Sequence, residues 1–523
     1  MQNHGLLPLA LLLSCIAPEV RSGPSADGGT SGQRAAMYLA GRIDARLAAR
    51  WASAKVRPVA AADDGEFLRR ACLDLIGKIP TAGEARDFLN DPDPNKRATL
   101  IDRLLDSPAY AARAAFLWRQ LLLPETDDQF GASPAGLEAW LRKKVDEEAG
   151  YDQIVREILS ARLAASSNDM AAVATVEPSP TAFYAARGGK PEVVAGDAAR
   201  AFLGIRVQCA QCHDHPFAKW KREEFWSFAA FFAGVPQQSN DATTVRMNKE
   251  DAQRRELTIP GTSKVVKAVH LDHSAPAWRP RAGTREVLAE WVCSPDNPYF
   301  ARAAVNRVWA RFFGEGLIDP VDDLEAEADP ALVALLDEVA RDFRDHGYNL
   351  KYLIRALMAT RAYNLSSASG TGTTTATPLF SRMPVRGMSP DQFVDSLAQA
   401  TGCELGENRA RLLELFTERD VPPTESQTSI LQALTLMNGA FLSAATKPET
   451  GETIGAIAEA PYLDTAGRVE MVFLAALSRQ PRSEERSLAI RYIDGRATEA
   501  DRAKALSDVF WALLNGPEFR TNH

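Results

Sequence analysis

The sequence predicts a mainly α protein, with two helical domains joined by a connector that holds a few short strands. Three observations carry this. Apolar residues recur at helical spacing in run after run from Leu39 to Leu514. Several runs are bracketed by helix start and stop residues, as in Thr81-Ala-Gly-Glu84, or Asp329-Pro330 with Gly347 at the far end. Strand signals are sparse, with Leu257-Thr-Ile259 and Lys264 to Val269 as the short extended candidates.

Taken in order, Leu6 to Ala17 is an apolar run of signal-peptide length, too short to span a bilayer. Cleavage after Val20-Arg-Ser22 makes residues 1–22 an export signal; alternatively Leu12-Leu-Ser-Cys15 resembles a lipobox, with Cys15 as a lipid anchor. Residues 23–35 have the composition of a flexible linker. The first helical domain, 36–236, opens with Leu39, Ile43, Leu47 and Trp51 on one helical face. A second helix, Phe67 to Ile76, is closed by Gly77 and Pro80; a capping box starts the next at Thr81, and another follows Pro94 with Leu100, Ile101, Leu104 and Leu105 inward. Further helices fit Ala114 to Leu123, Ala135 to Glu148 and Tyr151 to Ala161. Pro191 then begins a run through Val194, Ala198, Ala201, Phe202 and Ile205 that is expected to deliver a cysteine motif. After it, Phe225, Phe228, Ala229 and Phe232 form an i, i+3, i+4, i+7 stripe, a packing face that would also serve as the apolar wall of a haem.

Residues 237–283 are the connector, and 284–523 the second helical domain. Its helices are expected from Thr284, over Phe300 to Phe313 with Gly314 as the stop, from Pro330 to Gly347, and from Asn349 through Met358. Residues 366–378 form a Ser/Thr/Gly/Ala loop without periodicity. Ser389-Pro390 starts the next helix, and three more cover about Thr428 to Leu442, Arg468 to Leu477 and Ala500 to Leu514.

Composition narrows the function classes. The chain has 523 residues, 46% of them apolar, with 60 basic against 68 acidic side chains and a net charge of −8. No basic face suited to a phosphate backbone is implied, so nucleic acid is excluded as a partner, and no transmembrane helix is expected.

The chemistry concentrates in Cys209-Ala-Gln-Cys212-His213-Asp-His215, which holds two of six cysteines and two of seven histidines. C-x-x-C-H is the attachment pattern of haem c: Cys209 and Cys212 supply thioether links and His213 the proximal imidazole. His270, His273 or Met247 are then candidates for the distal position. The second reading is a non-haem centre, zinc or another transition metal, on the cysteines with His213, His215 or both, because zinc accepts sulfur and imidazole nitrogen in a tetrahedral shell. The third is a disulfide or buried thiol pair beside histidines that only hydrogen-bond. Export favours the first, since haem c is attached outside the cytoplasm. Cys72, Cys293 and Cys403 are expected as small buried hydrophobes. Asn306, Arg307 and Trp309 are expected to pack or cap rather than line a groove, Asp322 and Asp323 to face water, and His346 to sit at a helix C-terminus. No G-x-S-x-G elbow, phosphate loop or H-E-x-x-H is present, so no reaction is assigned; a metal-dependent hydrolase is the weakest option.

Several segments resemble a known pair of domains. Phe67-Leu-Arg-Arg70 with Leu73-Asp-Leu-Ile-Gly-Lys-Ile-Pro80, Gly189-Lys-Pro-Glu192, Cys209-Ala-Gln-Cys-His-Asp-His-Pro-Phe217 and Phe231-Phe-Ala-Gly234 resemble the planctomycete cytochrome-associated domain of unknown function. Asn297-Pro-Tyr-Phe-Ala-Arg302, Asn306-Arg-Val-Trp309, Phe313-Gly-Glu-Gly-Leu317, Pro320-Val-Asp-Asp323, Leu436-Met-Asn-Gly439 and Ala512-Leu-Leu-Asn515 resemble its usual C-terminal partner domain. The resemblance implies an exported periplasmic or cell-surface protein of unassigned activity. It also implies that a redox partner would be a separate cytochrome, because this chain has no room for a cytochrome domain of its own. The leading expectation is thus a c-type-haem-like redox or haem-sensing protein. The alternative is a cell-surface scaffold or binding module, for polysaccharide or a protein complex, with a structural Cys/His metal site or disulfide.

Overall fold

A computed structural model describes residues 27–123, 133–163, 177–214, 219–237, 250–368, 379–417 and 430–523. It is mainly helical, as the spacing of apolar residues requires. The first group of helices is α1 (Asp27–Ala54), α2 (Asp64–Ile76), α3 (Ala82–Asn90), α4 (Lys96–Leu105), α5 (Pro108–Leu122), α6 (Pro134–Asp146), α7 (Tyr151–Leu159), α8 (Ala182–Ala185), α9 (Pro191–Ala198) and α10 (Arg222–Ala229). A two-stranded antiparallel ribbon, β1 (Glu256–Thr258) against β2 (Val265–Lys267), pairs Leu257 with Val266. Then follow α11 (Thr284–Val292), α12 (Phe300–Phe313), α13 (Pro330–Asp345), α14 (Leu350–Ala359), the short strand β3 (Arg386–Gly387) and α15 (Pro390–Thr401). The chain continues through α16 (Asn408–Phe416), α17 (Ile430–Asn438), α18 (Ala440–Ala445), α19 (Glu452–Glu459), α20 (Thr465–Leu477), α21 (Ser483–Asp494) and α22 (Glu499–Asn515). It ends on β4 (Thr521–Asn522), which pairs antiparallel with β3.

Local chemistry explains the boundaries. Thr81 and Glu84 form the expected reciprocal capping box at α3, and Gly77 closes α2 in the left-handed region at φ +76°. Asp329 caps α13 ahead of Pro330, and Gly314 ends α12. Two differences from the sequence reading stand out. α1 begins at Asp27, within the stretch expected to be linker, and Ala36 is already buried on its inner face. The run expected over Thr428 to Leu442 is two helices, because Gly439 adopts an extended conformation between α17 and α18.

The core is not divided at the connector. One cluster of buried apolar residues extends from Ala36 to Met383, taking in α1 to α14 and the ribbon. A second gathers residues 393–519 and reaches back to Leu73 and Ile79 at the end of α2. α2 therefore faces both, and its polar side chains tie them together. Arg69 and Arg70 are fully buried. Arg69 donates to the carbonyls of Phe519 (2.7 Å) and Ala476 (3.2 Å), and Arg70 to those of Tyr363 (2.6 Å) and Leu365 (3.0 Å) and to the Glu66 carboxylate (2.6 Å). Buried cations survive only when their donors are spent in this way.

Candidate functional site

The cysteine motif is reached through a helix that stops short of it. α9 passes into a π-helical turn over Ala199–Leu203, and Gly204 ends it at φ +63°. That left-handed position favours glycine, and a Cβ here would come within 3.1 Å of the Ala303 Cβ on α12. The Gly204 carbonyl accepts from Leu324 N at 2.9 Å, and Arg307 on α12 donates to the carbonyls of Ala201 (2.9 Å) and Arg200 (3.1 Å). The segment leading into the motif is thus held by the chain's second half.

The motif itself occupies a 3₁₀ turn over Gln208–Gln211, where side chains three residues apart lie one above the other. Cys209 within the turn and Cys212 just after it are both exposed and unpaired, with the methyl of Ala210 buried between them in sequence. Gln208 Nε2 donates to the Gly196 carbonyl at 3.0 Å, while Trp226 Nε1 (3.0 Å) and Arg222 Nε (3.3 Å) donate to the Gln211 carbonyl. Asp214 accepts from Arg222 N at 2.9 Å, so it serves as a cap for α10. His213 is exposed, with Nδ1 at 2.7 Å from the Asp214 carbonyl. A carbonyl can only accept, so Nδ1 carries the proton and Nε2 keeps the lone pair that a metal takes.

These residues match the donor set of haem attachment: two accessible thiols three positions apart and an imidazole presenting Nε2. The expected apolar wall is absent from α10 and the 3₁₀ turn that follows it, because Phe225, Phe228, Phe231 and Phe232 are consumed by the core at 0–1% exposure. His270 is also spent elsewhere, buried and stacked between Phe231 and Trp291 at 5.2 and 4.6 Å, with Nδ1 on Ser274 Oγ at 2.9 Å. Burial pushes its pKa down to about 4, so it is neutral at pH 7. His273 is exposed in the connector, its Nε2 3.8 Å from Glu224 in the first turn of α10. His215 and Met247 lie outside the described residues. Among the described residues no three His, Cys, Asp or Glu side chains converge as a metal shell.

The other thiols are of a different kind. Burial pushes both Cys72 and Cys293 up to about 12, and Cys403 is half-buried with Sγ near the Thr401 carbonyl. Asn306 is fully buried and clamps the turn after α12, donating to the Ile318 carbonyl at 2.7 Å and accepting from Ile318 N at 3.0 Å. Trp309 is core. Asp322 does not simply face water: it accepts from Arg307 at 2.5 Å and Arg200 at 3.3 Å, because those guanidiniums need a counter-charge where the two halves meet. His346 closes α13, stacked on Tyr352 at 4.1 Å.

Sequence reasoning missed Arg113 on α5 and Arg311 on α12, and it expected Arg307 to pack or cap rather than to border a cavity. Arg113, Arg307 and Arg311 line a single cavity although the first is almost two hundred positions from the others. Their only sequence signal is arginine at the inner positions of otherwise apolar helices.

Comparison with protein families places both halves. Residues 42–237 match the model of PSCyt2, described as a protein of unknown function (DUF1549), and residues 284–411 match that of PSD1, also a protein of unknown function (DUF1553). No curated protein and no solved structure matches the chain. With the motif loop in the first matched region and its supports, Arg307 and Leu324, in the second, the chain belongs to the proteins that join a PSCyt2 domain to a PSD1 domain.

Proposed function

We propose that this is an exported protein, periplasmic or at the cell surface, that carries a c-type-haem-like group on Cys209, Cys212 and His213 and acts in electron transfer or haem sensing. The observation that supports this reading most is the pairing of two exposed thiols, in and just after a 3₁₀ turn, with an imidazole whose Nδ1 is pinned to a carbonyl. A bound haem supplies one-electron chemistry. The chain's own part is to hold the loop: Arg222 and Trp226 fix the Gln211 carbonyl, and the Asp214 carbonyl sets the imidazole tautomer. Exposure of the loop suits exchange with a separate cytochrome or other redox partner. The test is a visible spectrum with metal analysis of protein matured in a haem-attaching host. A haem band that survives acid–acetone extraction is expected; colourless, iron-free protein would sink the reading.

Burial of the aromatic face of α10 favours a second reading, a surface scaffold or binding module whose Cys209, Cys212, His213 and His215 hold zinc or another transition metal. Stoichiometric zinc in place of the haem band supports it.

A further inference from the structure

Between α5, α12 and α14, where the two matched regions meet, lies a cavity of about 220 Å³. It exceeds the roughly 150 Å³ that accommodates a benzene-sized guest. Its walls are apolar, with Leu117, Trp118 and Leu121 from α5 facing Phe312 and Ile354, while Asp74, Arg113, Arg307 and Arg311 also border it. These α5 residues are half-buried, as expected for side chains that line a partly open pocket.

The charges around this void do not balance. The Asp74 carboxylate is committed to Arg386 (3.0 and 3.1 Å), Tyr363 (2.9 Å) and Asn522 (2.8 Å). Arg307 is committed to Asp322 and to the Ala201 and Arg200 carbonyls. Arg113 pairs with Asp391, yet its side chain is only 9% exposed and its Nε–H is buried without a partner. Arg311 has no acidic partner among the described residues, and the one hydrogen bond its side chain makes there runs from Nη2 to the Asp74 backbone carbonyl at 2.8 Å. A guanidinium carries five N–H donors, so most of those on Arg311, a half-buried side chain that borders the cavity, have no protein partner among the described residues. Burial, with Arg113 and Arg386 nearby, pulls its pKa down to about 10, which still leaves it charged at pH 7. An uncompensated guanidinium beside an apolar void is a costly arrangement unless an anion joins it.

We infer that this cavity binds a small monocarboxylic acid with an apolar body, its carboxylate on Arg311 and the free Nε–H of Arg113, its hydrocarbon against Leu117, Trp118 and Ile354. The planar guanidinium matches a carboxylate in two parallel hydrogen bonds. Phosphate fits less well, since the apolar walls leave its remaining oxygens without donors. A smaller cavity of about 30 Å³ shares Tyr110, Trp118 and Leu350 with the first and reaches Lys351 and Glu148, which pair at 2.7 Å.

The test uses the full chain and calorimetric titration with benzoate, benzyl alcohol and inorganic phosphate. Benzoate is expected to bind and raise the melting temperature, with benzyl alcohol weaker by about tenfold or more, because a site built for a charge is left unpaired by the alcohol. Arg311→Met is expected to lose about tenfold or more in benzoate affinity while the free protein melts no lower than the wild type. Ala114→Leu, which fills the void and leaves both arginines intact, is expected to abolish benzoate binding in a folded protein. No benzoate binding, equal binding of benzoate and benzyl alcohol, preferential binding of phosphate, or benzoate affinity unchanged in Ala114→Leu would each overturn the inference.

Discussion

Asp74 on α2 and Arg386 on β3, 312 positions apart, form a buried pair in which one guanidinium nitrogen lies 3.0 and 3.1 Å from the two carboxylate oxygens. Tyr363 and Asn522 complete the shell around the carboxylate, so three segments from the far half of the chain converge on one side chain. Removing one partner strands the other in a place water does not reach. Asp74→Ala is expected to cost about 3–5 kcal/mol in chemical denaturation, whereas replacing both residues by apolar ones of similar volume should recover much of that loss. A double substitution as damaging as the sum of the two singles would contradict the pairing.

Stability should fall with acid through His270. Its folded pKa of about 4 lies below the ordinary 6.5, so the unfolded chain takes up the proton first. The contribution is complete above pH 6.5, shrinks as pH drops from 6.5 towards 4, and amounts to about 3 kcal/mol at most. His523 is depressed to about 4 as well, so the comparison to make is wild type against His270→Phe. Denaturation midpoints across pH 7 to 4 should fall less steeply in the variant.

Cys209 and Cys212 are expected to alkylate first in protein that carries no haem. They are exposed, while Cys72 and Cys293 are buried with thiols pushed up to about 12. Peptide mapping after brief native treatment with iodoacetamide checks this order. Because neither exposed thiol supports the core, the double change to serine should leave the melting temperature within about 2 °C and abolish any haem band.

Gly204→Ala tests the approach to the motif. Placing a side chain at φ +63°, with Ala303 within 3.1 Å of the new Cβ, is expected to cost about 1–3 kcal/mol. Gly196→Ala is a useful comparison on the same approach, since its Cβ would meet only the Gln208 side chain, whose Cγ lies at 2.8 Å.

Helices with local start and stop chemistry were legible in the sequence. Phe300 to Phe313 matches α12 end to end, and the Thr81 capping box sits where its pattern places it. α16, α19 and α21 were not anticipated. α21 shows why: it buries only Ala489 and Ile493, and Leu488 points to solvent at 64% exposure, so its apolar period is faint. Of the candidate site, the cysteines and His213 were legible because their spacing is local. The commitments of His270 and the phenylalanines of α10 were not, since they depend on packing against the connector and Trp291. The Arg113 and Arg311 pairing balance was hidden for the same reason: which carboxylates are taken is decided by segments hundreds of residues away.

The hold of Arg307 and Leu324 on the segment before Gly204 bears on how such proteins can be taken apart. The loop that bears the cysteines belongs to one matched region, yet donors that hold the segment leading into it belong to the other. A cut through the connector would yield a first fragment with exposed core and a loosened approach to the motif, and recombination that swapped either region alone would have to supply a matching guanidinium and turn. The tandem order is in this sense a mechanical requirement of the fold, and the unit to express, truncate or graft is the pair.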